Sequence, residues 1–469
     1  MATVLSLAWY CLLLAVFLWA WTRSTRTRSV MTPFGLFGLF EIVSVWPATI
    51  YSDAAGLSRS GAYPALVAGL AFAGLLLGFV ITAATIGLPA EQPALFRGRP
   101  VRCPHPDAVY LAAIAAVACI LAGLGFYLYQ GWPPLIDGLL ALGNNGELQA
   151  AIGVIAAGRE EVTKGHYLGE AYRGQGVILE LLQDGWPFLV AIASTRFLLT
   201  RSKRWLACAL VLFTLTLFFI AGSGQRWQVL AALVFLVITL ALVARPRPMW
   251  VAASVVTMLL VYLGMSALNP NYAGIENTDD PLESFATTAA SRIVLANGLH
   301  DVEAMNFVED GSLEWGFGTI HLQKALSSIP GVGKSDVPFA ARLSLLLDPY
   351  RPATDTSYAS ETYFGWLYVD FGLPGVLVVF CLVGGLLAQV QGWVFAGSKG
   401  ILDIPVRGFV IFYLGELALD GPATTAAALV VVTGLYLVLR AGTELLAGPQ
   451  RWSGGVTRSP AGKTLGVRG

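Results

Sequence analysis

The sequence has 469 residues, with 29 Lys and Arg against 29 Asp and Glu, so its formal net charge is zero. Charged residues make up 12% of the chain, whereas a soluble domain carries about 25%. Hydrophobic residues make up 56%, and the mean hydropathy is +0.67. These values exclude a basic nucleic-acid-binding protein, a disordered scaffold and a soluble multidomain enzyme. They favour a chain that lies largely within a membrane, with no nucleic-acid partner.

Eleven apolar runs predict transmembrane helices, because about 18 or more apolar residues cross a hydrocarbon core of about 30 Å. The run at 404–419 is the weakest, since Arg407 interrupts it, and an error of one gives 10–12 spans. The predicted fold class is therefore an all-α polytopic membrane protein, with a single membrane domain at 1–469 and a C-terminal tail at 443–469. The predicted spans are 4–21, 30–50, 62–88, 108–129, 176–199, 205–222, 227–244, 248–267, 371–394, 404–419 and 423–442.

The basic residues predict the orientation, because cytoplasmic loops carry an excess of Lys and Arg. Every basic cluster follows an odd-numbered span, and 19 of the 29 basic residues fall on that side. We therefore expect the N-terminus outside and the C-terminus in the cytoplasm. The residues are Arg23, Arg26, Arg28, Arg97, Arg99, Arg102, Arg196, Arg201, Lys203, Arg204, Arg245, Arg247, Lys399, Arg407, Arg440, Arg451, Arg458, Lys463 and Arg468.

Two segments on the exoplasmic side are too long to be turns, at 130–175 and 268–370. The second carries fourteen acidic residues against five basic ones, so the acids that are missing from the spans collect there. Loops of this length are usually functional. Helical periodicity at Ile320, Leu322 and Leu326, followed by Pro330, predicts a helix within it.

Several kinds of chemistry are absent from the sequence. There is no phosphate-binding glycine loop followed by Lys and Ser or Thr, and no HExxH or paired-cysteine spacing. The histidines and cysteines likewise predict neither a metal site nor an exoplasmic disulfide, and we expect no cofactor. They are His105, His166, His300, His321, Cys11, Cys103, Cys119, Cys208 and Cys381.

A set of exoplasmic arginines is the main candidate for ligand binding. A guanidinium keeps its charge and binds phosphate through paired hydrogen bonds, as an outward-facing enzyme acting on a lipid diphosphate requires. The alternative is that each arginine snorkels to lipid head groups. Arg226 stands apart, because it follows a short glycine-rich turn at the N-terminus of a helix, which favours an anion. The candidate diphosphate-binding residues are Arg226, Arg292, Arg351, Arg342, Arg159 and Arg173.

Four acidic residues fall within predicted spans, where charge is costly and usually functional. Glu180 and Asp184 lie one helical turn apart and share a face. They form either a proton relay, as in a transporter, or a pair that reaches water at the outer end of its span, which we favour. The other two are Glu41 and Glu416.

The segment 354–375 combines hydroxyls, carboxylates and six aromatic residues immediately before a span that Gly372, Pro374 and Gly375 mark. Aromatic faces stack on sugar rings, and a carboxylate near the membrane surface can take a proton from an acceptor hydroxyl. An interfacial aromatic belt explains the aromatic residues alone, but not the carboxylates. The candidate sugar-binding residues are Tyr363, Trp366, Tyr368 and His300.

The chain resembles the O-antigen polymerases (Wzy type), the oligosaccharide repeat-unit polymerases of bacterial surface polysaccharide pathways. The general plan of spans and two exoplasmic loops carries the resemblance, together with three local patterns. These are the Gly-Ser-x-x-Arg turn ending in Arg226, the sequence Gly316-Phe317-Gly318-Thr319 leading to Ile329-Pro330 with Lys334 beyond, and the segment 365–372 that opens a span.

The resemblance implies metal-independent glycosyl transfer on the outer face of the bacterial cytoplasmic membrane, without a cofactor. Undecaprenyl-diphosphate-linked oligosaccharide would be both donor and acceptor. A chain-length regulator and a flippase of the same pathway, and membrane lipids, would be the partners. In this picture Arg226 matches the arginine expected to hold the diphosphate.

One departure from the family pattern concerns the base. Relatives often have Glu where this chain has Trp366, so the expected base moves to Glu361, with Asp355 and Asp370 as further candidates. Two alternatives remain: an O-antigen ligase, which passes lipid-linked glycan to another acceptor, and a transporter of lipid-linked oligosaccharide or polysaccharide. The deep charges and paired broken helices that a transporter predicts are not the dominant pattern of this sequence.

Overall fold

A computed structural model describes residues 8–12, 14–19, 32–57, 63–88, 101–145, 150–155, 157–158, 175–224, 226–244, 256, 296–327, 339–347, 362–396 and 399–447. Within these ranges the structure is helical, apart from turns and two strands of two residues each. The predicted all-α fold class is confirmed.

The described elements run in chain order from α1 to α15. A 3₁₀ turn, Ala221–Ser223, joins α8 to α9, and the strands are β1 (Val101–Arg102) and β2 (Lys399–Gly400). The helices are α1 (Ala8–Trp19), α2 (Pro33–Ser44), α3 (Trp46–Ala55), α4 (Pro64–Thr85), α5 (Asp107–Tyr129), α6 (Pro134–Asn145), α7 (Gln175–Thr200), α8 (Lys203–Ile220), α9 (Arg226–Ala241), α10 (Ala296–Glu309), α11 (Thr319–Ser327), α12 (Phe339–Leu347), α13 (Tyr363–Phe395), α14 (Asp403–Asp420) and α15 (Pro422–Ala447).

In the described part of the chain, seven helices are long and apolar enough to cross a membrane, as expected for a multi-pass membrane protein. Each coincides with a predicted span, whereas α1 and the apolar part of α9 are shorter and α14 covers the weak span at 404–419. Apart from Val256, the predicted span 248–267 lies outside the described residues. The total of eleven spans and the orientation stay predictions. The seven helices are Pro33–Ala55, Pro64–Thr85, Asp107–Tyr129, Val177–Thr200, Lys203–Ser223, Tyr363–Phe395 and Thr425–Ala447.

The helices pack around two aromatic-rich cores. One core joins α5, α7, α8, α9, α14 and α15, with Trp186 stacked on Phe219 at 5.3 Å between ring centroids. The other joins α1 to α4 with α13 and α14, and Phe34 stacks on Phe79 at 4.2 Å. A third, smaller core packs α10, α11 and α12 against the start of α13. This last core attaches the described helices of segment 268–370 to the membrane bundle.

A short strand pair and the side chain of Arg196 connect neighbouring elements at one end of the bundle. There Val101 and Arg102 pair in parallel with Lys399 and Gly400. Arg196 binds Asp107 through Nε at 2.8 Å and also donates to the Cys103 Sγ at 3.1 Å. Burial raises the pKa of the Cys103 thiol, and Arg196 opposes this shift. The thiol therefore stays protonated near neutral pH.

Arg407 caps the C-terminal end of α13. It is 8% exposed, and its guanidinium donates to the carbonyl oxygens of Val394 at 2.7 Å and Ala396 at 2.9 Å. It also lies 5.0 Å from the Trp393 ring. The cap satisfies carbonyl groups that every helix leaves unpaired at its end. Arg407, which interrupts the predicted span 404–419, therefore stabilises the end of the neighbouring helix α13.

Helix α13 is broken at Gly372, which has φ 65° and ψ −168°. Pro374 cannot donate the hydrogen bond that would continue the helix, so Gly372 and Pro374 mark a break inside α13 where the sequence predicted the start of a span. The helix itself begins at Tyr363, eight residues before the predicted start at 371. Those residues are mostly buried, some in the core with α1 to α4 and others against α10 and α11. Thirty-three helical residues measure about 50 Å, which exceeds the hydrocarbon core of about 30 Å. The helix is therefore longer than a straight membrane crossing needs.

The closest helix pair is α4 and α13, and glycines allow it. A Cβ atom added at Gly78 would overlap the Cys381 carbonyl oxygen, and one at Gly384 would overlap the Leu75 carbonyl oxygen. Small residues at such crossings let two backbones approach closely. Gly123 on α5 offers a contrast, because nothing lies within 4 Å of an added Cβ.

We expect Gly78→Ala to destabilise the bundle by about 1–3 kcal/mol, because overpacking forces the two backbones apart. Gly123→Ala is the matched control, and removing a helical glycine there should leave stability unchanged or raise it by about 0.5–1 kcal/mol. Thermal unfolding in one detergent, followed by tryptophan fluorescence, measures both. Equal melting temperatures for the two variants would contradict the close packing of α4 against α13.

Candidate functional site

The candidate site lies where α10 and α11 meet the first turns of α13. Asp301 on α10 is fully buried and accepts hydrogen bonds from the Thr362 amide at 2.7 Å and the Thr362 hydroxyl at 2.6 Å. Thr362 is the N-cap residue of α13. A carboxylate suits this position, because the first amides of a helix lack partners and carry partial positive charge. The contact joins α10 to the start of α13.

Two further contacts fix α10 on the bundle. Asn306 donates to the Leu57 carbonyl oxygen at 3.0 Å, just after α3. Gly298 lies so close to Ser44 and Ala48 that an added Cβ would meet the Ser44 carbonyl oxygen at 2.5 Å. Contacts with α2 and α3 and with the start of α13 therefore fix the position of α10, the helix that carries Asp301.

Asp370 and His321 form the central pair of the site. Asp370 is fully buried, and its carboxylate accepts hydrogen bonds from the amides of Ile320 at 3.2 Å and His321 at 3.0 Å. The same carboxylate binds His321 Nδ1 through a short contact. Asp370 therefore satisfies two of the unpaired amides at the start of α11 and also orients the imidazole ring.

The pairing sets the chemistry of the imidazole. An ionised Asp370 fixes the proton of a neutral His321 on Nδ1, which leaves the lone pair on Nε2. In the described part of the chain, Nε2 is buried and has no hydrogen-bond partner. The side chain as a whole is 18% exposed, so the ring edge reaches the surface. The result is an oriented imidazole with an unused basic nitrogen.

Aromatic rings surround His321. The ring centroids of Tyr363, Phe371 and Trp366 lie 5.7, 5.9 and 6.2 Å from that of His321. Tyr363, Trp366 and Asp370 follow one another at helical spacing on α13, so they share the face that meets α11. Two of the predicted sugar-binding residues therefore lie beside the His321–Asp370 pair.

The other two predicted sugar-binding residues lie elsewhere. Tyr368 is 5% exposed, donates its hydroxyl to Glu309 at 2.6 Å and packs on Trp315 at 5.8 Å. It is two residues after Trp366, which turns it away from the His321 face. His300 is partly buried on α10, directly before Asp301.

The predicted diphosphate-binding arginines fall mostly outside the described residues. Arg226 begins α9, directly beyond the glycine turn, and Gly224 has a left-handed φ of 74°. This matches the predicted helix N-terminus, but the side chain of Arg226 is not described. Arg342 is exposed on α12. The predicted residues outside the described ranges are Arg159, Arg173, Arg292, Arg351, Asp355 and Glu361.

A buried polar network lies next to the start of α9. Trp227 donates its indole N–H to Glu416 at 2.7 Å, and Tyr413 donates its hydroxyl to Asp184. Glu416 and Asp184 are both 5% exposed. Asp184 therefore binds a tyrosine inside the bundle, where we had expected it to reach water, and only Glu180 is half-buried. The network ties α7, α9 and α14 together beside Arg226.

No family model, no curated protein and no solved structure matches this chain.

The sequence did not single out His321, Asp301 or Glu309. His321 pairs with a residue 49 positions away, and Asp301 with one 61 positions away. The local sequence gives only a weak signal for His321. The residue lies in the first turn of the helix that follows Gly316 and Gly318, and helix N-termini favour acidic partners. No spacing rule connects that turn with α13.

We expect Asp370→Asn to loosen α11, because the first-turn amides lose their charged acceptor, at a cost of about 1.5–3 kcal/mol. Hydrogen–deuterium exchange over residues 316–327 should then rise by about tenfold or more. Asp310→Asn is the matched control, since Asp310 also accepts a backbone hydrogen bond, from Ser312 at 2.9 Å, but on the exposed surface. Unchanged exchange in Asp370→Asn would show that the carboxylate does not hold α11.

Proposed function

We propose that this chain is a membrane glycosyltransferase that polymerises undecaprenyl-diphosphate-linked oligosaccharide units on the outer face of the bacterial cytoplasmic membrane. The observation that carries the proposal is the His321–Asp370 pair beside Tyr363 and Trp366, with Nε2 unpaired among the described residues. A base next to aromatic rings suits the deprotonation of a sugar hydroxyl. The pair lies next to the break in α13, where the chain leaves the membrane crossing.

In the proposed reaction, an acceptor hydroxyl attacks the anomeric carbon of the donor sugar. The bond between that carbon and the diphosphate oxygen breaks, and His321 Nε2 takes the hydroxyl proton. Asp370 stabilises the resulting imidazolium, as the carboxylate does in a Ser-His-Asp triad. Because Asp370 already binds three donors, we assign it a positioning role in place of the role of base. Glu361 and Asp355 remain alternative bases.

The diphosphate leaving group needs positive charge, which the arginines supply without titrating. Arg226 is the leading candidate, because the N-terminus of α9 adds its own partial positive charge. No step of this scheme requires a cofactor.

Two other functions use some of the same features. An O-antigen ligase would employ the same base and arginines but pass the glycan to a different acceptor. A transporter of lipid-linked oligosaccharide is favoured by the buried carboxyl groups Glu41, Asp184 and Glu416, since such groups inside spans often carry protons. The buried hydrogen bonds of Asp184 and Glu416 give these two a structural role instead.

We expect His321→Ala to lower the rate of polymerisation by about 10²- to 10⁴-fold with little change in KM, because a general base acts in the transition state. The assay follows elongation of lipid-linked repeat units by purified protein. His105→Ala, at the other end of the bundle, is the matched control and should retain full activity. If His321→Ala is active and Glu361→Gln is not, Glu361 is the base.

We expect Arg226→Ala to lower the rate by about 10²- to 10³-fold, because one charge on the leaving group is lost. Arg226→Lys should restore only part of the activity, since Lys lacks the paired donors of Arg. Arg204→Ala, exposed at the opposite end, should have no effect on the reaction. The length of surface glycan in complemented deletion cells gives a second readout.

Deletion of the gene separates the three functions. A polymerase predicts single repeat units in place of a ladder, whereas a ligase predicts the complete loss of capped product. Transport by reconstituted protein without any elongation would overturn the proposal in favour of a transporter.

A further inference from the structure

The loop between α10 and α11 presents an aromatic ring to the surface. Phe317 is 82% exposed. Its φ is 46°, in the left-handed region that residues with a Cβ avoid. Packing against the described residues does not explain a large apolar side chain that points outward from a disfavoured backbone conformation.

The loop is held firmly on both sides of Phe317. The Gly316 amide donates to the Val369 carbonyl oxygen at 3.0 Å, and the Thr319 hydroxyl donates to the Gly316 carbonyl oxygen at 2.6 Å. Gly318, with φ 87°, packs on Phe371, whose ring lies 3.2 Å from an added Cβ. The outward direction of Phe317 therefore follows from fixed neighbours on α13.

The surface next to Phe317 continues into the apolar face of α13. Phe371, which touches Gly318, is 44% exposed, and the next exposed residues are Leu373, Leu377 and Val378 at 37%, 40% and 58%. These three lie after the Gly372 break, in the part of α13 long enough to cross a membrane. Exposed apolar residues on such a span face lipid. The patch around Phe317 therefore lies where the lipid-facing surface of α13 begins.

We propose that Phe317 inserts into the lipid leaflet at this end of the bundle and anchors the loop before α11 to the bilayer. Trp315 and Leu322, which are 37% and 58% exposed, flank it at the boundary, where amphipathic rings such as Trp are preferred. His321 follows Phe317 by four residues, so the anchor also sets the height of the imidazole above the hydrocarbon core. This inference holds whatever reaction the site performs.

Photo-crosslinking of the full-length protein in phospholipid nanodiscs tests the proposal. The photoreactive residue p-benzoylphenylalanine replaces Phe317, and mass spectrometry identifies the adducts. The same residue at Val378 is the lipid-facing reference, and at Glu314, an exposed acid three residues before Phe317, it is the matched control. A second position on the same patch, Leu322, keeps the test decisive if the Phe317 variant does not fold.

We expect a phospholipid adduct at Phe317 with a yield close to that at Val378 and several-fold above that at Glu314. A yield equal to that at Glu314 would show that the ring lies in water, which overturns the proposal. A crosslink to a second protein molecule would equally overturn it, because the patch would then be an interface between copies of this chain.

Discussion

The break in α13 is the constraint on which the rest of the structure depends. A helix inside a membrane pairs its backbone groups internally, so it continues straight unless glycine or proline interrupts it. Gly372 and Pro374 do so near the N-terminal end of α13. The residues before the break are mostly buried, some in the core with α1 to α4 and others against α10 and α11. Asp370, which would be costly on a lipid-facing helix, instead meets the amide groups and the imidazole of α11.

Much of the fold could be predicted from the sequence, because a membrane span is a local property. Apolar runs gave the positions of the seven long helices, and Gly372 with Pro374 gave the break. Periodicity before Pro330 gave α11. The start of α13 was predicted late, because residues 363–370 are helical without facing lipid. Their partners come from α10 and α11, and hydropathy alone carries no information about those partners.

The candidate site could be predicted only in part. The segment 354–375 was singled out for its aromatic and acidic residues, but the role of each residue depends on which face of α13 it occupies. Tyr363 and Trp366 face His321, whereas Tyr368 turns toward Glu309. Asp370 had been expected as a base, and its three donors come from α11, 49 and 50 positions away. Such pairings arise from tertiary packing and leave no trace in local spacing.

The two ends of α13 are held by side chains from other helices. Asp301 lies at its N-terminus and Arg407 at its C-terminus, an arrangement that complements the helix dipole at both ends. Axial displacement of α13 would stretch both contacts at once. Bending at Gly372 would leave both intact. Bending at Gly372, near the N-terminal end of α13, is therefore favoured over sliding of the whole helix along its axis.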